Sequence, residues 1–369
     1  MQIKNACIFT GRSFQKGGIR FSERISEIGE LPGEADMDAG GGYIIPGLVD
    51  IHTHGALGED FSDGSPEGLR RLSGWYASNG VTSFLATTMT LRERELSAAM
   101  DAVRGFRRGR GAKCAGVHLE GPFLSFSRRG AQNAENLSRP DIELFRRLNA
   151  GSGNKVRLVT VACEEPGAME FIREASKICR VSLGHSTAGY DAAMEAFGAG
   201  AGHVTHLFNA MPPLHHREPG IIGAALDCGA AAELICDGYH VHPSAVRAAF
   251  RLFGEKLCLI SDSLRCAGMP DGGYTLGGQP ILVREGKATL PDGTIAGSSI
   301  SLMEGVRRAV SFGIPLESAV YAASAAPAAA AGLDAGVLAE GRPADLVLLD
   351  RELNIQAVFI DGERADRPC

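Results

Sequence analysis

Two histidines one residue apart, His52 and His54, close the apolar run YIIPGLVDIHTHG at 43–55. Side chains in a strand alternate between faces, so both imidazoles point one way and Thr53 the other. If they sit at the open end of a barrel, they make half of a metal site, because neutral imidazole suits zinc, iron and nickel. Alone, the pair reads equally well as a strand end with two solvated histidines. Other run ends decide the matter. Apolar runs also stop at Glu120 (KCAGVHLE), His185 (RVSLGH), His206 (GHVTH) and Asp262 (KLCLISD). Each has an ordinary reading by itself, His185 as a core histidine or Asp262 as a helix cap. Taken together, those readings would strand several imidazoles and carboxylates away from water with nothing in return, a cost that a shared divalent cation removes. All ten histidines lie between His52 and His242.

The elements that must position these groups follow from the alternation along the chain. Runs at 47–54, 81–88, 113–120, 156–162, 180–185, 202–206, 232–237 and 256–262 read as strands, separated mostly by helix-like segments such as PEGLRRLSGWYASNG. Eight strands in this alternation imply an α/β protein with a closed (β/α)8 TIM barrel, whose chemistry sits at the carboxyl ends of the strands. No GxGxxG fingerprint opens the first helix, which argues against a doubly wound sheet. Period two places His118 one layer below Glu120, a packing or ligand-orienting position, and turns His203 toward the helices. His215 and His216 fall on a loop and read as solvated. The alanine-rich stretch 301–332 reads as the last barrel helix. Short strands at 1–46 and at 344–363 can bury their apolar faces only together, so a small β-sandwich domain is expected from 1–46 plus 336–369, with the barrel at 47–335. The loops at 121–139 and 207–222 are long enough to hold substrate.

Composition narrows the class. With 369 residues and a net charge of -6, the chain has no basic footprint for nucleic acid and no polybasic anchor for a membrane. No apolar run reaches membrane-spanning length, and MQIKNACIFTG lacks the features of a signal peptide, so a cytoplasmic location is expected. Nine cysteines (Cys7, Cys114, Cys163, Cys179, Cys228, Cys236, Cys258, Cys266, Cys369) show no CxxC spacing and read as free thiols.

The HxH pair, the histidines ending strands five and six and the aspartate ending strand eight resemble the amidohydrolase superfamily. Within it, HLEGPF (118–123), GHS (184–186), THLFNAMPP (205–213), REPG (217–220), DGYHV (237–241), SDS (261–263) and AGSSISLMEGVR (296–307) resemble the N-acetylglucosamine-6-phosphate deacetylases. The resemblance implies one or two divalent metal ions per chain, zinc foremost, with iron, cobalt, manganese and nickel also suited. Glu120, His185 and His206 would hold the first, and His52 and His54 the second, with Glu120 as bridge. It implies Asp262 as general base and then acid, and His240 at the acetyl carbonyl oxygen. Arg217 and the backbone N–H groups of Asn209 and Ala210 would hold the phosphate of a small phosphorylated amino sugar. Ala131, Gln132, Ile295, Ala296 and Gly297 would line the sugar, with Gln132 standing where relatives often have histidine. It further implies a homodimer in which Arg217 reaches across to the neighbouring subunit.

Three rivals are weighed against this reading. A deacetylase of the galacto epimer shares every feature named. A cyclic amide hydrolase of the superfamily commonly carries a metal-bridging lysine on a middle strand, and VRLVTVA has none. A barrel serving only as a scaffold would have lost ligands or base, whereas His52, His54, Glu120, His185, His206 and Asp262 are all present.

Overall fold

Eight parallel strands follow one another in chain order round one sheet: Leu48–Thr53, Val81–Thr88, Lys113–Glu120, Val156–Val161, Arg180–Leu183, His203–Val204, Ala231–Ile235 and Leu257–Ile260. The computed structural model describes residues 1–365; residues 366–369, with Cys369 and the last positions of the expected C-terminal domain range, lie outside them. The ring closes where Asp262 N–H donates to His52 C=O at 2.9 Å and His54 N–H to Ser263 C=O at 2.8 Å. After each strand comes a helix, from Pro66–Ser78 behind the first to Leu302–Ser311 behind the eighth. This is the α/β (β/α)8 barrel that the alternation implies. Strands covered on both faces read as continuous apolar runs, and all eight residues of Val81–Thr88 are buried. Local chemistry starts the helices: the Ser65 hydroxyl accepts from Gly68 N–H ahead of Pro66, and the Asp141 carboxylate accepts from Glu143 and Leu144 N–H.

The two ends of the chain share a second sheet of eight strands. In it Tyr43–Pro46 pairs parallel with Gln2–Phe9 and antiparallel with Leu346–Leu349. Phe21 meets Phe359 edge-on at 5.1 Å, folding the sheet over a core that includes Ile3, Ile19, Ile44 and Leu346. We propose the division into 1–46 plus 336–369 and 47–335 on this basis, since Leu48 already belongs to the barrel. Gly47 is the link at the first of the two places where the chain crosses between the bodies, and a Cβ there would run into the Thr82 side chain. Lys113 of the third barrel strand ties them again, with Nζ 2.9 Å from Asp345 and 2.5 Å from Asp361.

Three features depart from the sequence reading. The stretch 301–332 forms three helices, Leu302–Ser311, Leu316–Ala322 and Ala325–Ala330, not one. Gly313, at φ +90, and Pro315, which offers no N–H, end the first, and alanine content gave no sign of the breaks. An antiparallel sheet of Gly272–Leu276, Gln279–Arg284 and Lys287–Thr289 was not expected at all. Finally, His203 faces the barrel interior, with Nδ1 3.0 Å from Ser182 Oγ. The parity argument failed because strand six ends at Val204, and His206 lies beyond it with φ +26, out of strand register.

Candidate functional site

Glu120 is the last residue of the third strand, and His52 sits inside the first with His54 just past its end. His185, His206 and Asp262 each lie two residues beyond strands five, six and eight, and each has positive φ (48, 26 and 48). Left-handed backbone at non-glycine residues is strained, and such strain gathers at functional sites. Here it turns three side chains inward over the end of the barrel.

The six side chains converge. His185 Nε2 lies 2.9 Å from His206 Nε2, and the two lie 3.2 and 3.1 Å from Glu120 Oε1. Beside this triangle, His52 Nε2 is 3.3 Å from His54 Nε2 and 3.4 Å from the same Glu120 Oε1. Glu120 Oε2 lies 3.3 Å from His54 Nε2, and Asp262 Oδ1 is 3.5 Å from His52 Nε2 and 3.3 Å from His54 Nε2. Glu120 therefore serves both histidine pairs. All six residues are buried.

The donor set fits a divalent cation. Ligands held at 2.0–2.1 Å in tetrahedral array stand roughly 3.3 Å apart, which is the spacing seen. Tautomer chemistry agrees. His185 Nδ1 donates to Arg128 C=O at 2.9 Å, and His52 Nδ1 lies 2.8 Å from Glu233 Oε2. In the neutral rings this leaves lone pairs on the Nε2 atoms, crowded against each other and against carboxylate oxygens. Only positive charge between them relieves that arrangement. Burial would raise the Glu120 carboxyl, but His52, His185 and His206 outweigh it and hold it well below the carboxylate range. Asp262 behaves likewise: burial pushes it up, and His52 and His54 bring it below its ordinary value.

Several side chains outside this set fix its members. Gln132 donates to Glu120 Oε2 at 2.7 Å and accepts Thr90 N–H at 2.7 Å, so its amide holds the glutamate. Gln132 also lines the cavity, where the second N–H of its amide remains. His118 bonds Thr160 Oγ1 at 2.8 Å and lies against His52, ring centroids 4.5 Å apart, as its layer implied. His240 Nδ1 donates to Asp237 Oδ2 at 2.7 Å, leaving Nε2 for the cavity. Glu233 and Asp237 were missed, although both stand in the run AELICD, where a carboxylate amid apolar residues was itself a signal.

A cavity of about 500 Å³ opens over His54, Glu120, His185, His206 and Asp262, with His52 buried behind them. Its lining includes Ala131, Gln132, Asn209, Ala210, His240, Ile295 and Gly297 from the expected set. Ala296 does not line it: that residue is buried, with its N–H on Ala288 C=O. Arg217 does not line it either. It lies exposed on the loop, with Nη1 2.8 Å from His216 Nε2, so a single chain does not bring it to the site. Two arginines that sequence reasoning passed over, Arg128 and Arg129, stand in the wall instead, with Leu276, Gln279, Asp292 and Thr294 on or beside the unforeseen antiparallel sheet. Gln279 Nε2 donates to Ala131 C=O at 2.8 Å, latching that roof to the 121–139 loop.

Comparison with known proteins agrees with this architecture. The Amidohydrolase family matches residues 43–365. N-acetylglucosamine-6-phosphate deacetylase of Bacillus subtilis (strain 168) is 44% identical over 272 residues, 72% of this chain and 69% of the relative. N-acetylgalactosamine-6-phosphate deacetylase of Escherichia coli O157:H7 is 38% identical over 329 residues, 87% of each chain. A solved structure of a mutant N-acetyl-D-glucosamine-6-phosphate deacetylase from Mycobacterium smegmatis, in complex with N-acetyl-D-glucosamine-6-phosphate, superposes with a TM-score of 0.93 at 34% identity, covering 99% of both chains. With strand-end donors, fold and sequence in agreement, the chain belongs to the amidohydrolase family and, within it, to the group that holds the N-acetylglucosamine-6-phosphate deacetylases.

Proposed function

We propose that this chain hydrolyses the acetamide of N-acetylglucosamine 6-phosphate, giving glucosamine 6-phosphate and acetate. The observation that carries the reading is the convergence of Glu120, His185, His206, His52, His54 and Asp262 beneath a cavity with arginines in its wall. Glu120, His185 and His206 would hold one divalent cation, and His52 and His54 a second, with zinc the first choice for nitrogen and oxygen donors. When bound, such a cation supplies a lowered pKa for water and polarisation of the amide carbonyl.

The side chains do the rest. Asp262, kept ionised by its imidazole neighbours, takes the proton of the attacking water and returns it to the sugar nitrogen as the C–N bond breaks. His240, braced by Asp237, donates from Nε2 to the acetyl oxygen as negative charge grows there, a contact of the kind whose loss costs about 10²–10³ in turnover. Ala210 offers its backbone N–H to the phosphate; that of Asn209, donated to His206 C=O at 3.0 Å in this structure, would have to turn away from it to do the same. Ala131, Gln132, Ile295 and Gly297 enclose the sugar. Arg217 completes the phosphate site from the partner subunit of a homodimer, which accounts for its distance from its own cavity. A cytoplasmic location is part of this reading; among the described residues no helix is long and apolar enough to cross a membrane.

The second reading, deacetylation of N-acetylgalactosamine 6-phosphate, draws on the 38% identical E. coli relative. One assay separates them: acetate release from both phosphates, side by side, with metal counted per chain. The expected result is a higher kcat/KM on the gluco substrate. Preference for the galacto epimer, or activity only on unphosphorylated amides, overturns the assignment.

A further inference from the structure

Below the six donors lies a carboxylate that the reaction does not use. Glu233, in the seventh barrel strand, has no exposed surface. Its Oε2 sits 2.8 Å from His52 Nδ1 and accepts the backbone N–H of His206 at 3.1 Å, so one oxygen touches a member of each histidine pair. Its Oε1 has no hydrogen-bond partner. Among the described residues its ion-pair neighbours are imidazoles, His52 at 2.8 Å and His203 at 3.9 Å; no lysine or arginine comes that close. A buried carboxylate without a counter-charge is costly, so positive charge must reach it through a ring. His203 is occupied by Ser182, and His118 spends its nitrogens on Thr160 Oγ1 and Ile51 C=O. Both nitrogens of His118 are thus engaged in the cluster it forms with His52 and Glu233. The remaining route runs through His52, whose Nε2 faces Glu120 and Asp262.

We propose that Glu233 is the positioning residue that decides whether a second cation is held at His52 and His54. This rests on the metal reading above. By accepting from Nδ1, Glu233 fixes the tautomer that presents the Nε2 lone pair to the cavity, and its charge makes that nitrogen a stronger donor. Two divalent cations carry more charge than Glu120 and Asp262 offset, and Glu233 is a further carboxylate, the one placed on the Nδ1 of a ligand ring.

The test is zinc binding to the metal-free full chain, followed by calorimetry and by metal counting after dialysis. Wild type should take two ions per chain. Glu233→Gln, which keeps shape and loses charge, should bind the first ion with wild-type affinity and the second about 10–100-fold more weakly. His52→Ala should lose the second ion with Glu233 still in place. In zinc-loaded wild type, nitrogen NMR should show His52 protonated at Nδ1, a readout that needs no variant to fold. A single zinc ion in wild type, two ions at wild-type affinity in Glu233→Gln, equal weakening of both, or no proton at His52 Nδ1 each overturns the proposal. Acetate release is read separately, so a wrong substrate does not disguise a wrong role for Glu233.

Discussion

Asp262 offers the cleanest test at the scale of single residues. Its carboxylate shares contacts with His52 and His54, so Asp262→Asn should leave the ions bound by the other five side chains while turnover falls about 10²–10⁴-fold. Metal analysis beside kcat checks both halves; normal turnover with metal intact would show that the proton travels by another route. Much at this scale was legible in the sequence, because a polar residue at the end of an apolar run demands a partner. Gln132 was not, since the type of an amide side chain says nothing of which carboxylate it will hold. Nor was the facing of His203: period two applies only while the strand lasts, and that strand is two residues long.

Among elements, the join that bears on the site is between the end of strand eight and the segment returning from the antiparallel roof. Ser298 N–H donates to Asp262 C=O at 2.6 Å, and a Cβ on Gly297 would stand 2.8 Å from that same oxygen and 2.6 Å from Leu264 Cδ2. Gly297→Ala should therefore push the backbone that aims the Asp262 carboxylate. A displacement near 1 Å at a reacting group costs on the order of 10²-fold, so kcat should fall about 10–100-fold while thermal unfolding moves little. Unchanged kcat would mean that Leu264 yields instead. The roof escaped sequence reading although Ile281 and Val283 alternate with exposed Leu282 and Arg284 between the glycine turns at 277–278 and 285–286. A hairpin interrupting a βα alternation is hidden by the stronger pattern around it.

For the whole molecule, buried ionisable groups set how stability depends on pH. Burial depresses His203 to about 4, against an ordinary value of 6.5. Between those values the unfolded chain takes up a proton that the folded chain refuses, so the contribution is complete above about 6.5 and is lost as pH falls toward 4. Its size is on the order of 3 kcal/mol. Asp50, raised by burial to about 7, acts in the opposite sense across the same window, so the informative comparison is between wild type and His203→Gln. Urea unfolding at pH 7, 6 and 5 should show a shallower loss of stability on acidification in the variant, and parallel slopes would exclude the effect. The barrel and the pairing of the two chain ends were legible at this scale, since eight runs and two incomplete sheets leave few arrangements. The joint between them, with its Lys113 clamp, was not.

That joint has a mechanical consequence. With Gly47 as the whole of the link at one crossing, Lys113 clamped to Asp345 and Asp361, and Ile45, Val347 and Val358 packed into the barrel's own core, a swing of one body on the other would have to break all three. Any closing motion over a bound sugar is left to the roof and the loop that Gln279 latches to it, while the strand bearing His52 stays tethered to the outer sheet. Tension applied at the amino end of the chain would reach His52 through Gly47 before it reached that roof.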